Sequence, residues 1–191
     1  MLAMLAAPAA LARESKVLVM GDSLSAAYGL RADQGWVALA DARSTRYAFH
    51  NASLSGETTA GGRSRIAAEL RRVRPDIVII ELGANDGLRG LPLRQMGENL
   101  GWMIGASKAA GARVLLAGLQ LPPNFGPYAR DFQRSYALIS QRLGTGLIPH
   151  FLAPLGVERR WFQSDNLHPV AGAQPLLAEQ VLQALDALPA R

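Results

Sequence analysis

Short apolar runs alternate along the chain with longer stretches in which apolar residues return every three or four positions. Five runs have the length and β-branched content of strands: Lys16 to Met20, Tyr47 to Asn51, Asp76 to Leu82, Arg113 to Gly118 and Gly146 to His150. Each is followed within four residues by Gly, Pro, Asn or Ser, which punctuate the chain where a turn is needed. The spacing between them predicts helices near Gly35 to Arg43, Gly62 to Val73, Met96 to Ala110 and Ala129 to Leu143, and a last one from Gly172 to Leu188. Strand-length runs alternating with helices predict an α/β fold in three layers, α/β/α, around a five-stranded parallel sheet. No repeat, linker or change of composition divides the pattern, so residues 13–191 are expected to form a single domain.

Composition changes this picture little. The 191 residues are 49% hydrophobic and 18% charged, too apolar for a disordered chain and too interrupted for a polytopic membrane protein. The net charge of +5 raises the question of an anionic partner. The densest basic cluster is Arg63, Arg65, Arg71, Arg72 and Arg74, but Ile66, Leu70 and Val73 recur there at helical spacing, with Arg65 and Arg72 opposite them. A solvated helix face explains the cluster better than a nucleic-acid site, since no aromatic interleaving or known binding motif accompanies it. With no cysteine, disulfides, thiolate metal sites and cysteine nucleophiles are excluded.

Residues 1–12 carry no charge and are almost entirely Leu, Ala and Met, ending in Ala10-Leu11-Ala12 before Arg13 and Glu14. This matches the apolar region and small-residue cleavage site of a secretory signal, without the basic region that usually precedes it. A periplasmic or secreted location is expected; the alternative is a frayed helix on a cytoplasmic enzyme. Twelve residues are too few to span a membrane.

In open α/β sheets the functional groups gather where loops leave the carboxyl ends of the strands. Behind the first three strands lie Gly21-Asp22-Ser23-Leu24-Ser25, Ser53-Leu54-Ser55-Gly56-Glu57 and Gly83-Ala84-Asn85-Asp86; a fourth polar group, Asp165-Asn166-Leu167-His168-Pro169, precedes the last helix. A serine hydroxyl needs a histidine to take its proton and a carboxylate to fix that histidine's tautomer. Of the three histidines, His50 and His150 end predicted strands and are better explained as structural. His168 follows Asp165 by three residues, so one local turn can set the carboxylate against one ring nitrogen and leave the other for Ser23. The Ser23 amide, the backbone at Gly56 and the Asn85 side chain are candidate donors to a tetrahedral oxyanion. Asp22 and Asp86 read as turn-stabilising residues whose carboxylates bond nearby amides.

These four blocks, in this order, resemble the SGNH (GDSL) hydrolase family, and most closely its multifunctional bacterial subgroup described as thioesterase I, lysophospholipase L1 and arylesterase. Glu81 to Gly90, Leu121-Pro122-Pro123-Asn124-Phe125-Gly126 and the stretch from Trp161 to Pro175 extend the resemblance over nearly the whole chain after the leader. It implies a flavodoxin-like SGNH hydrolase fold and a serine hydrolase acting on carboxylic esters and thioesters. It further implies Ser23 as nucleophile, His168 as general base and acid, Asp165 as its orienting partner, and Ser23, Gly56 and Asn85 around the oxyanion. Ala84 stands where a glycine often precedes the asparagine.

Leu88, Leu91, Leu121, Pro122, Phe125 and Tyr128 follow the third and fourth strands and are expected to line an apolar groove for an acyl chain, with core packing as the competing explanation. The expected substrates are small acyl esters or thioesters, lysophospholipids among them, with no cofactor, no metal, no nucleic acid, no stable membrane insertion and a monomeric state. Two other functions stay open: a carbohydrate deacetylase of the same family, against which Trp36, Trp102 and Trp161 do not cluster beside the blocks, and a noncatalytic flavodoxin-like binding module. The Gly-x-Ser-x-Gly elbow of α/β-hydrolases and the His-rich motifs of metallohydrolases are absent.

Overall fold

The run Ile77-Val78-Ile79-Ile80 has no polar face to offer solvent, and it forms the central strand, buried throughout. The computed structural model describes residues 14–189; residues 1–12, where a secretory signal is expected, lie outside the described residues. Five strands, β1 (Ser15–Gly21), β2 (Tyr47–Asn51), β3 (Ile77–Glu81), β4 (Arg113–Ala117) and β5 (Gly146–Ile148), form one parallel sheet in the order β2-β1-β3-β4-β5. All four pairings are parallel, with Val17 opposite Phe49 on one side and Ile77 on the other.

Among the described residues, six α-helices accompany the sheet: α1 (Trp36–Arg43), α2 (Thr59–Val73), α3 (Ala84–Leu88), α4 (Leu93–Ala109), α5 (Pro127–Leu143) and α6 (Gln174–Asp186). The connection from β1 to β2 runs one way along the sheet, and those from β2 onward run the other way. Right-handed crossovers therefore put α1 on one face and α2, α4 and α5 on the opposite one. α6 packs beside α1, and α2, α4 and α5 pack in sequence. This is the three-layer arrangement expected, and the reversal of direction between β1 and β3 opens a crevice at their carboxyl ends.

The helices form where the apolar spacing placed them, with shifted ends. α2 buries Ile66, Leu70 and Val73 as expected, but it starts at Thr59 rather than Gly62 because Thr58 caps it and the Asp86 carboxylate accepts the Thr59 amide at 2.8 Å. α4 and α5 start at Leu93 and Pro127, each at or beside a proline already set for a first helical turn. α3 falls in a segment that reads as a loop in sequence. The basic face of α2 is also less solvated than expected, since Arg65 forks onto the Glu57 carboxylate, with Nε to Oε1 at 2.8 Å. Among the described residues no helix is long and apolar enough to cross a membrane.

Candidate active site

Every polar block picked out in sequence reaches the crevice. Ser23 follows the end of β1, Gly56 lies beyond β2, and Asn85 sits in the first turn of α3 after β3. His168 precedes α6. The His168 Nε2 lies 2.8 Å from Ser23 Oγ, and its Nδ1 lies 2.7 Å from Asp165 Oδ2. The other Asp165 oxygen accepts the amides of Leu167 and His168 at 2.9 and 3.0 Å. Slight burial opposes the charge on Asp165, but the hydrogen bonds from the His168 ring and these two amides outweigh it and hold the carboxyl at about 2. The three-residue spacing achieves this through Asn166, whose left-handed backbone, φ +60°, reverses the chain between the carboxylate and the imidazole.

The serine, the histidine and both backbone segments expected around the oxyanion border one cavity of about 330 Å³. Neither the Ser23 nor the Gly56 amide has an acceptor among the described residues, so both are available to an incoming group. Gly56 is glycine because its φ is +79°; a Cβ there would meet nothing, so conformation rather than space selects it. Asn85 is more constrained than a free donor. Its Nδ2 gives one hydrogen to Asp22 Oδ2 at 3.1 Å and the other to the Glu57 carbonyl at 3.0 Å.

The apolar wall comes from Ala84, Leu88, Leu119, Leu121, Pro122 and Leu152. Leu88, Leu121 and Pro122 are thus where the sequence put them. Phe125 is not among the lining residues; it packs half-buried on the core, its ring 6.5 Å from that of Tyr128. The Tyr128 hydroxyl bonds the Leu91 carbonyl at 2.6 Å, so Leu91 and Tyr128 brace the outer edge of the loop instead of lining the cavity. Trp36, Trp102 and Trp161 all lie outside it. Trp36 is buried with its indole N–H on Ser25 Oγ at 3.2 Å, while Trp102 and Trp161 are stacked under Arg63 and Arg160. His50 and His150 take no part in the lining, and burial pushes His150 below its ordinary value.

Behind Ser23 lies a layer that the sequence reading missed. Asp22 bonds the Leu24 amide at 3.0 Å, the turn expected of it, but its second oxygen anchors Asn85. Glu81, wholly buried at the end of β3, accepts the Ser25 hydroxyl at 2.7 Å and the Asp22 amide at 3.4 Å through Oε2, while Oε1 has no partner. Burial raises Asp22 to about 6 and Glu81 well above the usual carboxylate range, Glu81 further because Asp22 faces it. The legible signal was a charged residue closing a fully apolar run. Asp86 departs from the local-turn expectation: it accepts the amide and hydroxyl of Thr59, at 2.8 and 2.6 Å, and ties α3 to the start of α2.

The sequence profile of the GDSL-like lipase/acylhydrolase family matches residues 19–174. An esterase TesA of Pseudomonas aeruginosa is 46% identical over 177 residues, covering 90% of this chain and 88% of its own. A thioesterase 1/protease 1/lysophospholipase L1 of Escherichia coli K12 is 36% identical over 174 residues, covering 90% and 84%. The crystal structure of a psychrotrophic esterase EstA from a Pseudoalteromonas species, inhibited by monoethylphosphonate, superposes with a TM-score of 0.86 at 39% identity, covering 91% of this chain and 97% of that one. Sequence, fold and the order of the four blocks agree: the chain belongs to the GDSL-like lipase/acylhydrolase family.

Proposed function

We propose that the protein is a serine hydrolase that cleaves carboxylic esters and thioesters of apolar acids through an acyl-serine intermediate. The observation that carries this reading is the continuous chain from Ser23 Oγ through His168 to the Asp165 carboxylate, opening onto an apolar cavity. The relatives named esterase and thioesterase 1/lysophospholipase L1 support the same substrate classes, lysophospholipids included.

Asp165 accepts a hydrogen bond from His168 Nδ1–H, which fixes the tautomer that leaves the Nε2 lone pair facing the Ser23 hydroxyl. As Ser23 Oγ attacks the acyl carbon, its proton passes to Nε2 and the carbonyl oxygen becomes an oxyanion. The free amides of Ser23 and Gly56 and the Asn85 side chain receive that charge, each such donor being worth roughly 3 to 4 kcal/mol in the transition state. His168 then gives its proton to the departing oxygen or sulfur, and the acyl group stays on Ser23. Water, deprotonated by the same nitrogen, releases the acid. The sugar deacetylase reading gains no support from the tryptophans, all of which lie away from the cavity.

The test is hydrolysis of a p-nitrophenyl acyl series and of acyl-CoA by residues 13–191, beside Ser23→Ala. Turnover by the parent and none by the variant is expected, with a fluorophosphonate adduct mapping to Ser23. Turnover that survives Ser23→Ala would refute the assignment.

A further inference from the structure

Tyr28 is 51% exposed although it stands beside the reacting groups. Its ring centroid is 4.4 Å from that of His168, with the planes 37° apart. The backbone holds it there: the Tyr28 amide donates to the Ser23 carbonyl at 3.2 Å, and its own carbonyl accepts Gln163 Nε2 at 2.8 Å. Ala27 before it is left-handed, φ +57°, a conformation costing a residue with a Cβ about 1 kcal/mol or more. A strained turn that presents an aromatic ring largely to solvent gains little from core packing. What the ring gains is one face of the catalytic imidazole, and the rest of it borders the cavity together with Leu167, itself 43% exposed.

The direction in which a substrate leaves follows from the hydrogen bonds. The departing oxygen or sulfur must come within reach of His168 Nε2 to be protonated, so the group attached to it projects from the imidazole edge, beside Tyr28 and Leu167. The acyl chain, on the other side of the ester carbon, faces Leu88 at the end of α3 and Leu119 and Leu121 from the loop after β4. The two halves of the substrate thus meet walls supplied by different parts of the chain.

We propose that Tyr28, with Leu167, forms a leaving-group subsite for planar aromatic alcohols and thiols, which stack on the Tyr28 ring as they depart. The inference rests on the serine hydrolase reading and specifies the half of the substrate that reading leaves open. In the step concerned, the bond from the acyl carbon to the aryl oxygen breaks and its electron pair leaves with oxygen. That oxygen takes the proton from Nε2, and the phenol exits past Tyr28 while the acyl group remains on Ser23. The subsite is therefore empty before deacylation begins.

Phenyl butyrate and ethyl butyrate pass through the same acyl-enzyme and separate the two halves of the reaction. Tyr28→Ala is expected to lower kcat/KM for phenyl butyrate about five- to tenfold, from lost stacking, and for ethyl butyrate at most about twofold. Tyr28→Phe restores the phenyl ester, and the deacylation rate constant from a p-nitrophenyl butyrate burst does not change. Phenol inhibits the parent competitively and Tyr28→Ala more weakly. Equal losses on both esters, slower deacylation, or undiminished phenol inhibition would overturn the proposal and leave Tyr28 as a residue that merely positions His168. If the parent cleaves neither ester, the hydrolase reading fails by itself. Shifts of the His168 ring protons on adding phenol, compared between the parent and Tyr28→Ala, then decide whether the subsite exists: shifts lost in the variant support it, and their absence from the parent overturns it.

Discussion

Gln163 donates its side-chain amide to the carbonyl of Tyr28 at 2.8 Å, and by that bond the segment bearing the histidine is fastened to the turn bearing the serine. The same amide reaches the Pro169 carbonyl at 3.2 Å, and the Gln163 backbone N–H donates to the His168 carbonyl at 2.8 Å. His168 lies in neither a strand nor a helix, so its distance to Ser23 depends on such ties. Gln163→Ala removes both side-chain bonds while sparing the backbone one. It is expected to cost about 1 to 2 kcal/mol of stability and to lower kcat roughly tenfold with KM little changed, read by urea denaturation and steady-state kinetics. An unchanged kcat would show that the loop holds its place without the clamp.

In the proposed mechanism the Ser23 proton passes to His168 Nε2 while Asp165 holds the imidazole from Nδ1, so these residues act as a unit. Ser23→Ala, His168→Ala and the double change are each expected to lower kcat by about 10⁴-fold or more, and by similar amounts. Strictly additive losses would mean that the residues do not share one relay.

Asn85→Ala takes a donor from the developing oxyanion and should lower kcat by about 10²- to 10³-fold with KM little altered. Stopped-flow measurement of acylation is the direct check, since the loss belongs to steps that pass through a tetrahedral intermediate. A change confined to KM would make Asn85 a ground-state contact instead.

The two carboxyls behind Ser23 have raised pKa values, Asp22 about 6, so the folded state binds their protons more tightly than the unfolded state does. Stability from this source is complete below about pH 4 and falls as the pH rises through 6, by roughly 3 kcal/mol for a shift of two units at one buried group. Asp165, held at about 2, has the opposite sign and loses its contribution only as the pH falls from about 4 toward 2. Glu81→Gln keeps an acceptor for Ser25 and removes one of the two titrating groups. Denaturation at pH 5 and pH 8 should therefore show a smaller difference for the variant than for the parent; an equal difference would place the pH dependence elsewhere.

Gly83 has φ +125°, and a Cβ there would lie 2.2 Å from the buried Tyr136 hydroxyl, which is itself bonded to the Leu82 carbonyl. Gly83→Ala is expected to destabilise the fold by about 2 to 4 kcal/mol, through backbone strain and displacement of Tyr136. A thermal melt within about 2 °C of the parent would show that the β3–α3 turn can relax.

The layers and the strands were legible from pattern: Ile77 to Ile80 is short, apolar throughout and β-branched, as a buried strand is, and Ile66, Leu70 and Val73 recur at the spacing of one helix face. That Ser23, Gly56, Asn85, Asp165 and His168 come together at one crevice was legible because the first three follow strands, the last two precede the final helix, and their chemistry is complementary. Phe125 was misplaced for the same reason that Leu121 was placed correctly. Both are apolar and close together in sequence, and only the turn of the loop decides which faces the cavity. Tyr28 and Gln163 left no signal, since their importance comes from a left-handed turn at Ala27 and from contacts 135 residues apart. Asp86 looked local because Asp beside Asn usually is, whereas its real partner, Thr59, lies 27 residues away.

The full engagement of the Asn85 amide has a bearing on the role proposed for it. With one N–H on the Asp22 carboxylate and the other on a carbonyl, a neutral ester oxygen offers no stronger acceptor than those already in place, and gains little by displacing them. A full negative charge on that oxygen does compete. The donor then discriminates between the substrate and the species halfway to product, withholding its hydrogen from the first and yielding it to the second. Binding energy spent in that way appears as rate and not as affinity. An active site arranged so would hold its esters loosely and favour turnover at high substrate concentration over capture at low.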